Sequence, residues 1–199
     1  MTIKKTTFLE PFEKFNEWFC EAIADKRIYE PTAMSLASVD ENSSPSNRMV
    51  LLKKNDEKGF CFFTNLGSRK AQEIFKNSAV ALCFYWGVQG RQIRIEGVAN
   101  KIEDLEADEY FATRPRDSQI GAWASKQSTI MENNQDFEKR IKFFDDKFSN
   151  QNVLRPEFWS GFRVEPKSFE FWHEGQFRLH HRLIYQKITD GWEVKILYP

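Results

Sequence analysis

The chain has 199 residues, and its 29 Lys plus Arg balance 29 Asp plus Glu, so the formal net charge is zero. That length can bury a core without disulfide or metal staples, and the charge balance gives no general attraction to nucleic acid or to an anionic membrane. Any anion site must therefore come from local clustering of cations.

The first element in chain order is a helix over residues 10–25, predicted from the helical spacing of Phe12, Phe15, Phe19 and Ile23. After Pro31 the period shortens. The runs AMSLASV (33–39), NRMVLLKK (47–54) and GFCFFT (59–64) are rich in β-formers and divided by polar turns, which predicts three antiparallel strands. A helix over 67–77 follows, with Ser68 as N-cap candidate and Ala71, Ile74 and Phe75 at helical spacing. Two strands come next, AVALCFYW (79–86) and RQIRIEGVANKI (91–102). Residues 103–148 read as helical, with Pro115 opening one helix and Phe137, Ile141, Phe144 and Phe148 forming the apolar face of another. The chain returns to β in SGFRVEP (160–166), SFEFWHE (168–174), HRLIYQKI (181–188) and GWEVKIL (191–197).

Short, consecutive, turn-linked strands point to an antiparallel barrel with flanking helices, a mainly β member of the α+β class, rather than a doubly wound sheet. With no repeat, low-complexity tract or linker, the expectation is a single domain over 1–199, with an N-terminal helical segment (1–30) and C-terminal strands (158–199). The cysteines, Cys20, Cys61 and Cys83, lie in apolar runs without a CxxC pair and read as reduced core residues. The N-terminus carries no stretch of signal-peptide quality, and nowhere do 18 apolar residues run together, so the protein is expected to be soluble and cytoplasmic.

The sequence lacks GxGxxG, GxxxxGK[ST], HExxH and GxSxG, and its only histidines are His173, His180 and His181, so no metal site is predicted. The positive signal is cations placed beside hydroxyls and turns. Arg48 and Lys53 lie five apart, on opposite faces if the strand is regular. Arg69 and Lys70 occupy the first turn of a helix, where cations oppose the helix dipole and an anion would be welcome. Tyr110, Arg114, Arg116 and Ser118 form the densest group, at the helix junction at Pro115, where a phenol, a guanidinium, a hydroxyl and free backbone N–H groups can converge on one anion. Further on, Lys126, Gln127 and Ser128 form a polar cluster, and Arg178, His180 and Arg182 share one face if their stretch is extended. Each group has an ordinary alternative as solvated surface charge.

At these residues the chain resembles the pyridoxine 5'-phosphate oxidase family. The matching strings are RMVLLK (48–53), FFTNLGSRKA (62–71), RQIRIEG (91–97), YFATRPRDSQIGAWASKQS (110–128), FWSGFRV (158–164) and FEFWHEGQFRLHHR (169–182). The resemblance implies a split β-barrel homodimer with flavin mononucleotide at each subunit interface. It implies that Arg48, Arg69, Lys70, Gln127 and Ser128 hold the flavin phosphate and ribityl chain, that Met49, Val50, Phe63, Thr64 and Gln92 border the flavin, and that Trp172 and Arg182 contribute beside it. It assigns Lys53, Tyr110, Arg114 and Ser118 to the substrate phosphate, and Arg178 and His180 to the pyridine ring and the catalytic step. The implied reaction oxidises pyridoxine 5'-phosphate or pyridoxamine 5'-phosphate to pyridoxal 5'-phosphate, with oxygen as acceptor and hydrogen peroxide as product. Family members often carry a longer N-terminal arm and end in Arg-Leu-x-Pro, where this chain has Ile196, Leu197, Tyr198 and Pro199, and His181 stands where aspartate is frequent. The aromatic C-terminal residues Trp159, Phe162, Phe169 and Phe171 are expected to supply apolar surface for the dimer contact.

Overall fold

A computed structural model describes residues 4–199; the first three residues of the expected N-terminal segment lie outside it. In chain order the elements are β1 (Lys4–Thr6), α1 (Glu10–Ala24), β2 (Ala33–Val39), β3 (Pro45–Leu51), β4 (Lys54–Asp56), β5 (Gly59–Asn65) and α2 (Arg69–Lys76). They continue with β6 (Ala79–Trp86), β7 (Arg91–Lys101), α3 (Asp104–Ala112), α4 (Arg116–Ala124), α5 (Asn134–Lys147), β8 (Trp159–His173), β9 (His181–Ile188) and β10 (Gly191–Leu197).

All strand pairs are antiparallel, in the order β1-β10-β9-β8-β7-β6-β2-β3, with β5 on β8 and β4 on β5. The expected antiparallel split barrel is therefore the architecture found. Its organiser is β8. One edge of β8 pairs with β7 along nearly its whole length, while the other pairs with β5 over Trp159–Val164 and with β9 over Ser168–His173. Pro166 falls in the gap between those two partners, where its missing N–H breaks no ladder on that edge. This is why the runs expected as separate strands, 160–166 and 168–174, form one continuous element.

Opposite the gap, β7 has an irregularity between Glu96 and Gly97. A Cβ at Gly97 would lie 2.2 Å from the Glu165 carbonyl oxygen, so only glycine fits this approach.

Inward residues alternate along the strands, as Met34, Leu36 and Ser38 do on β2. Phe60, Phe62, Phe84, Ile93, Ile95, Phe162, Phe169 and Phe171 fill the core. Helix α1 closes one side of it. Its buried stripe is Phe12, Phe15, Trp18 and Ala22, with Phe15 4.7 Å from Phe60 and Trp18 5.4 Å from Phe171 between ring centroids. Burying each such ring stabilises the fold by roughly 1.5–3 kcal/mol.

Several expectations change. Ile23 is exposed and Phe19 only partly covered, because the stripe drifts through Trp18 and Ala22. Cys20 lies on the exposed side of the same helix, so only Cys61 is a fully buried thiol, and burial pushes its pKa up to about 11. The run NRMVLLKK is interrupted: β3 ends at Leu51, buried Leu52 turns into the core, and β4 starts at Lys54. Phe144 of α5 and Phe148 at its C-terminal cap pack beside Trp123, whereas Ile141 stays 38% exposed. Trp159, Phe162, Phe169 and Phe171 are all buried inside the protomer, so they supply no surface to a partner. The exposed large apolar side chains of residues 158–199 are Phe158, Phe177, Leu179, Ile196 and Tyr198. Strand β1 was not legible as a strand in its Lys-Lys-Thr sequence, and it adds to β10 through the backbone.

Candidate active site

A cleft of about 600 Å³ opens between β3, β5, α3 and α4. Met49, Val50 and Lys53 come from the β3 end, Phe63 and Thr64 from β5, and Lys70 from the first turn of α2. Tyr110, Arg114 and Ser118 come from the junction of α3 and α4, and Gln127 from the segment after α4. Trp159, which the sequence reading had not singled out for the site, forms part of the wall. The rings of Phe63 and Tyr110 stack at 3.9 Å, and Phe63 lies nearly parallel to Trp159 at 5.4 Å, which gives the cleft a rigid aromatic side.

Two cations in this cleft make no ion pair among the described residues: Lys70 is buried and Arg114 is half-buried. Lys70, 8% exposed, donates from Nζ to Thr64 Oγ1 (3.0 Å), Gln127 Oε1 (3.1 Å) and Ser68 Oγ (3.4 Å), all neutral acceptors. Burial pushes its pKa below the usual lysine value, Arg48 adds to that, and Glu73 opposes it. Ser68 precedes α2 without making a side-chain capping bond, and its hydroxyl faces Lys70 instead.

Arg114 stacks its guanidinium over Trp159 (4.7 Å) and Phe111 (5.5 Å), and its Nη1 is buried with no hydrogen-bond partner. Burial lowers its pKa, with Tyr110 opposing, and burial raises that of the Tyr110 phenol. A buried, unmet guanidinium nitrogen is costly unless an anion completes it. The residues therefore fit two anionic groups, one at Lys70 and one at Arg114.

Arg48 does not line the cleft itself but lies close enough to Lys70 to act on its charge. It donates from Nη1 to Leu36 O (3.2 Å) and Ser38 Oγ, and from Nη2 to Ser46 Oγ and Glu73 Oε2 (3.0 Å). Arg69 reaches the other oxygen of the same carboxylate through Nε (2.8 Å). Glu73, unmarked in the sequence reading, was detectable only as the residue one helical turn after Arg69. Lys53 lines the cleft, so Arg48 and Lys53 do serve different surroundings, although Lys53 lies beyond the end of β3. Ser128 has positive φ and lines a neighbouring groove with Lys126, not the cleft.

The remaining predicted residues lie elsewhere. Gln92 pairs in register with Trp172, which pairs with Arg182. Arg182 is held by buried Glu170 through Nε (2.8 Å), and His180 packs 4.6 Å from Trp172. Arg178 and His180 are not on an extended strand. Phe177 and Arg178 have left-handed backbone in a tight turn before β9, so the two-residue alternation with Arg182 fails. This group lies toward the far end of β8. Ser160, the partner of Thr64, and Trp172 are separated by roughly 40 Å of strand at about 3.3 Å per residue. His180 and Arg182 line a smaller cleft that shares no residue with the first.

Residues 21–144 match the family described as pyridoxamine 5'-phosphate oxidase, and residues 159–199 match the pyridoxine 5'-phosphate oxidase C-terminal dimerisation region. The chain belongs to the pyridoxamine 5'-phosphate oxidase family. A pyridoxine/pyridoxamine 5'-phosphate oxidase from Rubrobacter xylanophilus is 47% identical over 190 residues, covering 96% of this chain and 87% of that protein. One of the same name from Nostoc punctiforme is 46% identical over 192 residues, covering 96% and 89%. Among solved structures, PhzG from Burkholderia lata 383, in complex with tetrahydrophenazine-1-carboxylic acid, superposes with a TM-score of 0.90 at 28% identity, covering 95% of this chain and 92% of that one. A pyridoxamine 5'-phosphate oxidase-related, FMN binding protein from Nostoc punctiforme shares the fold with a TM-score of 0.74 at 15% identity, covering 93% and 97%.

Proposed function

We propose that the protein is a flavin mononucleotide-dependent oxidase that converts pyridoxine 5'-phosphate and pyridoxamine 5'-phosphate to pyridoxal 5'-phosphate. The observation that carries this reading is the pair of cations without an ion-pair partner in one aromatic-walled cleft: buried Lys70, and half-buried Arg114 with its Nη1 unmet. A flavin and a phosphorylated pyridine are both flat rings that carry one phosphate each. In this reading Lys70, Arg48, Arg69 and Gln127 serve the flavin phosphate and ribityl chain, with Ser128 joining them by a turn of its loop. Lys53, Tyr110, Arg114 and Ser118 serve the substrate phosphate. The assignment agrees with the names of the relatives at 46–47% identity.

Flavin mononucleotide, when bound, supplies a two-electron acceptor that oxygen regenerates with release of hydrogen peroxide. The chain's own residues bind and orient. Met49, Val50, Phe63 and Thr64 border the flavin from one side of the site, and Gln92, Trp172 and Arg182 from the other. His180 accepts the Gly175 N–H at Nδ1 (3.3 Å), so its neutral form carries the proton on Nε2 and donates there. We assign that donor to orienting the C4' substituent. Arg178 stabilises the negative charge that develops on the substituent as its proton leaves.

Because the Trp172, Arg178, His180 and Arg182 group occupies the opposite end of β8 from the cleft, one chain alone does not assemble this site. A homodimer, with each site drawing on both chains, meets the requirement, and the match of residues 159–199 to a dimerisation region supports it.

An aerobic assay of the purified protein with pyridoxine 5'-phosphate, following product absorbance and peroxide, tests the reading. Product formation that needs added or bound flavin mononucleotide, and is lost with unphosphorylated pyridoxine, is the expected result. Oxidation of the unphosphorylated ring at equal efficiency would remove the case for a second phosphate pocket, as would inactivity of the flavin-loaded protein.

A further inference from the structure

Glu73 is a buried carboxylate, 5% exposed, on α2 facing the edges of β2 and β3. Its Oε2 accepts from Ser38 Oγ (2.5 Å), Ser46 Oγ (2.6 Å) and Arg48 Nη2 (3.0 Å), and its Oε1 from Arg69 Nε (2.8 Å). Three of the four donors converge on Oε2 and one on Oε1, so the carboxylate is held from two strands and its own helix. Burial alone would raise its pKa, but the hydrogen bonds from Ser38, Ser46, Arg69 and Arg48 hold it at about 2. The group is therefore ionised at neutral pH.

What the carboxylate does is fix cations. Ser38 and Ser46 each accept from Arg48 and donate to Glu73, so Arg48 is tied to the carboxylate directly and through two hydroxyl bridges from two strands. Arg69 is tied only at Nε. Among the described residues its Nη nitrogens have no protein acceptor, and its side chain is 63% exposed. One carboxylate thus ties one arginine through both of its terminal nitrogens and holds the other by its stem. Three cations and one carboxylate leave a surplus of two positive charges, and a phosphate monoester near neutral pH carries roughly −1.5 to −2.

We propose that Glu73 is a positioning residue for the flavin phosphate: it holds Arg48 and Arg69 in place beside Lys70 and trims their combined charge to that of one phosphate monoester. The inference rests on reading Arg48, Arg69 and Lys70 as the flavin-phosphate ligands. Its signature is a loss of affinity that depends on the phosphate and not on the isoalloxazine ring.

The test titrates full-length apoprotein, wild type and Glu73→Gln, with flavin mononucleotide and with riboflavin, following flavin fluorescence. Glu73→Gln should weaken flavin mononucleotide binding roughly tenfold or more, while riboflavin affinity stays within about twofold of wild type. Flavin mononucleotide affinity that is unchanged or improved would overturn the proposal. So would an equal loss for both ligands, which would mean a purely structural role. If Glu73→Gln does not melt cooperatively, Ser38→Ala, which removes one hydroxyl bridge, carries the same comparison, with a smaller phosphate-specific loss expected and no phosphate-specific loss overturning it. Wild-type protein that binds flavin mononucleotide no better than riboflavin would instead sink the reading of the site, which separates the two failures.

Discussion

The guanidinium carbon of Arg114 lies 4.7 Å from the ring centroid of Trp159, the first residue of β8, and one terminal N–H group of the arginine is buried without an acceptor. The stacking fixes the arginine, and the unmet donor marks where an anion would complete it. Arg114→Ala should therefore lower kcat/KM for the phosphorylated substrate while flavin binding persists. Losing one partner of a buried charge pair costs on the order of 2–5 kcal/mol, or roughly 30-fold or more. Arg69→Ala should show the converse, with cofactor affinity lost first. Steady-state kinetics at saturating flavin, run beside a flavin titration, separates the two, and equal loss of flavin affinity in both variants would contradict the assignment.

The split of the site across β8 makes a sharper demand. If each site draws Arg114 from one chain and His180 from the other, co-expressed Arg114→Ala and His180→Ala chains form mixed dimers with one intact site apiece. Random pairing then restores roughly a quarter of wild-type activity, although each variant alone is nearly inactive. Failure of the co-expressed mixture to exceed the better single variant would place both residues in the same chain's site.

Acid should act through Glu73. Its pKa of about 2 in the fold lies below the ordinary 4.5, so its contribution to stability is complete above about pH 4.5 and disappears as the pH falls toward 2. The full contribution is at most about 3 kcal/mol. The drop in melting temperature between about pH 5 and pH 3 should be smaller for Glu73→Gln than for wild type. Parallel melting curves across that range would refute the assignment of the acid sensitivity to this carboxylate.

Gly97 tests the register at the centre of the sheet. An added Cβ would sit 2.2 Å from a backbone oxygen, which cannot rotate away as a side chain could. Gly97→Ala should destabilise by about 1–3 kcal/mol or more, measured as a lower urea midpoint at unchanged slope. A wild-type midpoint would mean that β7 and β8 do not approach each other this closely at the irregularity.

The sequence by itself determined the elements whose signal is local. The alternation in AMSLASV, the stripe of Phe12 and Phe15, and the proline at the α3–α4 junction report faces and breaks within a single segment, and the segment obeys them. The clustering of Tyr110, Arg114 and Ser118 was legible for the same reason, since those residues are neighbours along the chain and remain neighbours in the cleft. Tertiary structure alone decided which segments meet. Glu73 carries no signal of its own in the sequence, because its partners Ser38 and Arg48 come from strands 35 and 25 positions away. Phe162, Phe169 and Phe171 looked like a sticky surface until the main core closed over them, and Trp159 until Phe63 of β5 and Phe111 of α3 packed on it. Arg178 and His180 looked like one face of a strand until Gly175 permitted a tight turn, in which a Cβ at that glycine would meet the Leu179 carbonyl oxygen at 2.0 Å. The physical reason is common to all of these. Periodicity records which side of a segment is apolar, but the partner of a polar or aromatic group is set by sheet register and closure, and these depend on backbone pairings between residues far apart in the chain.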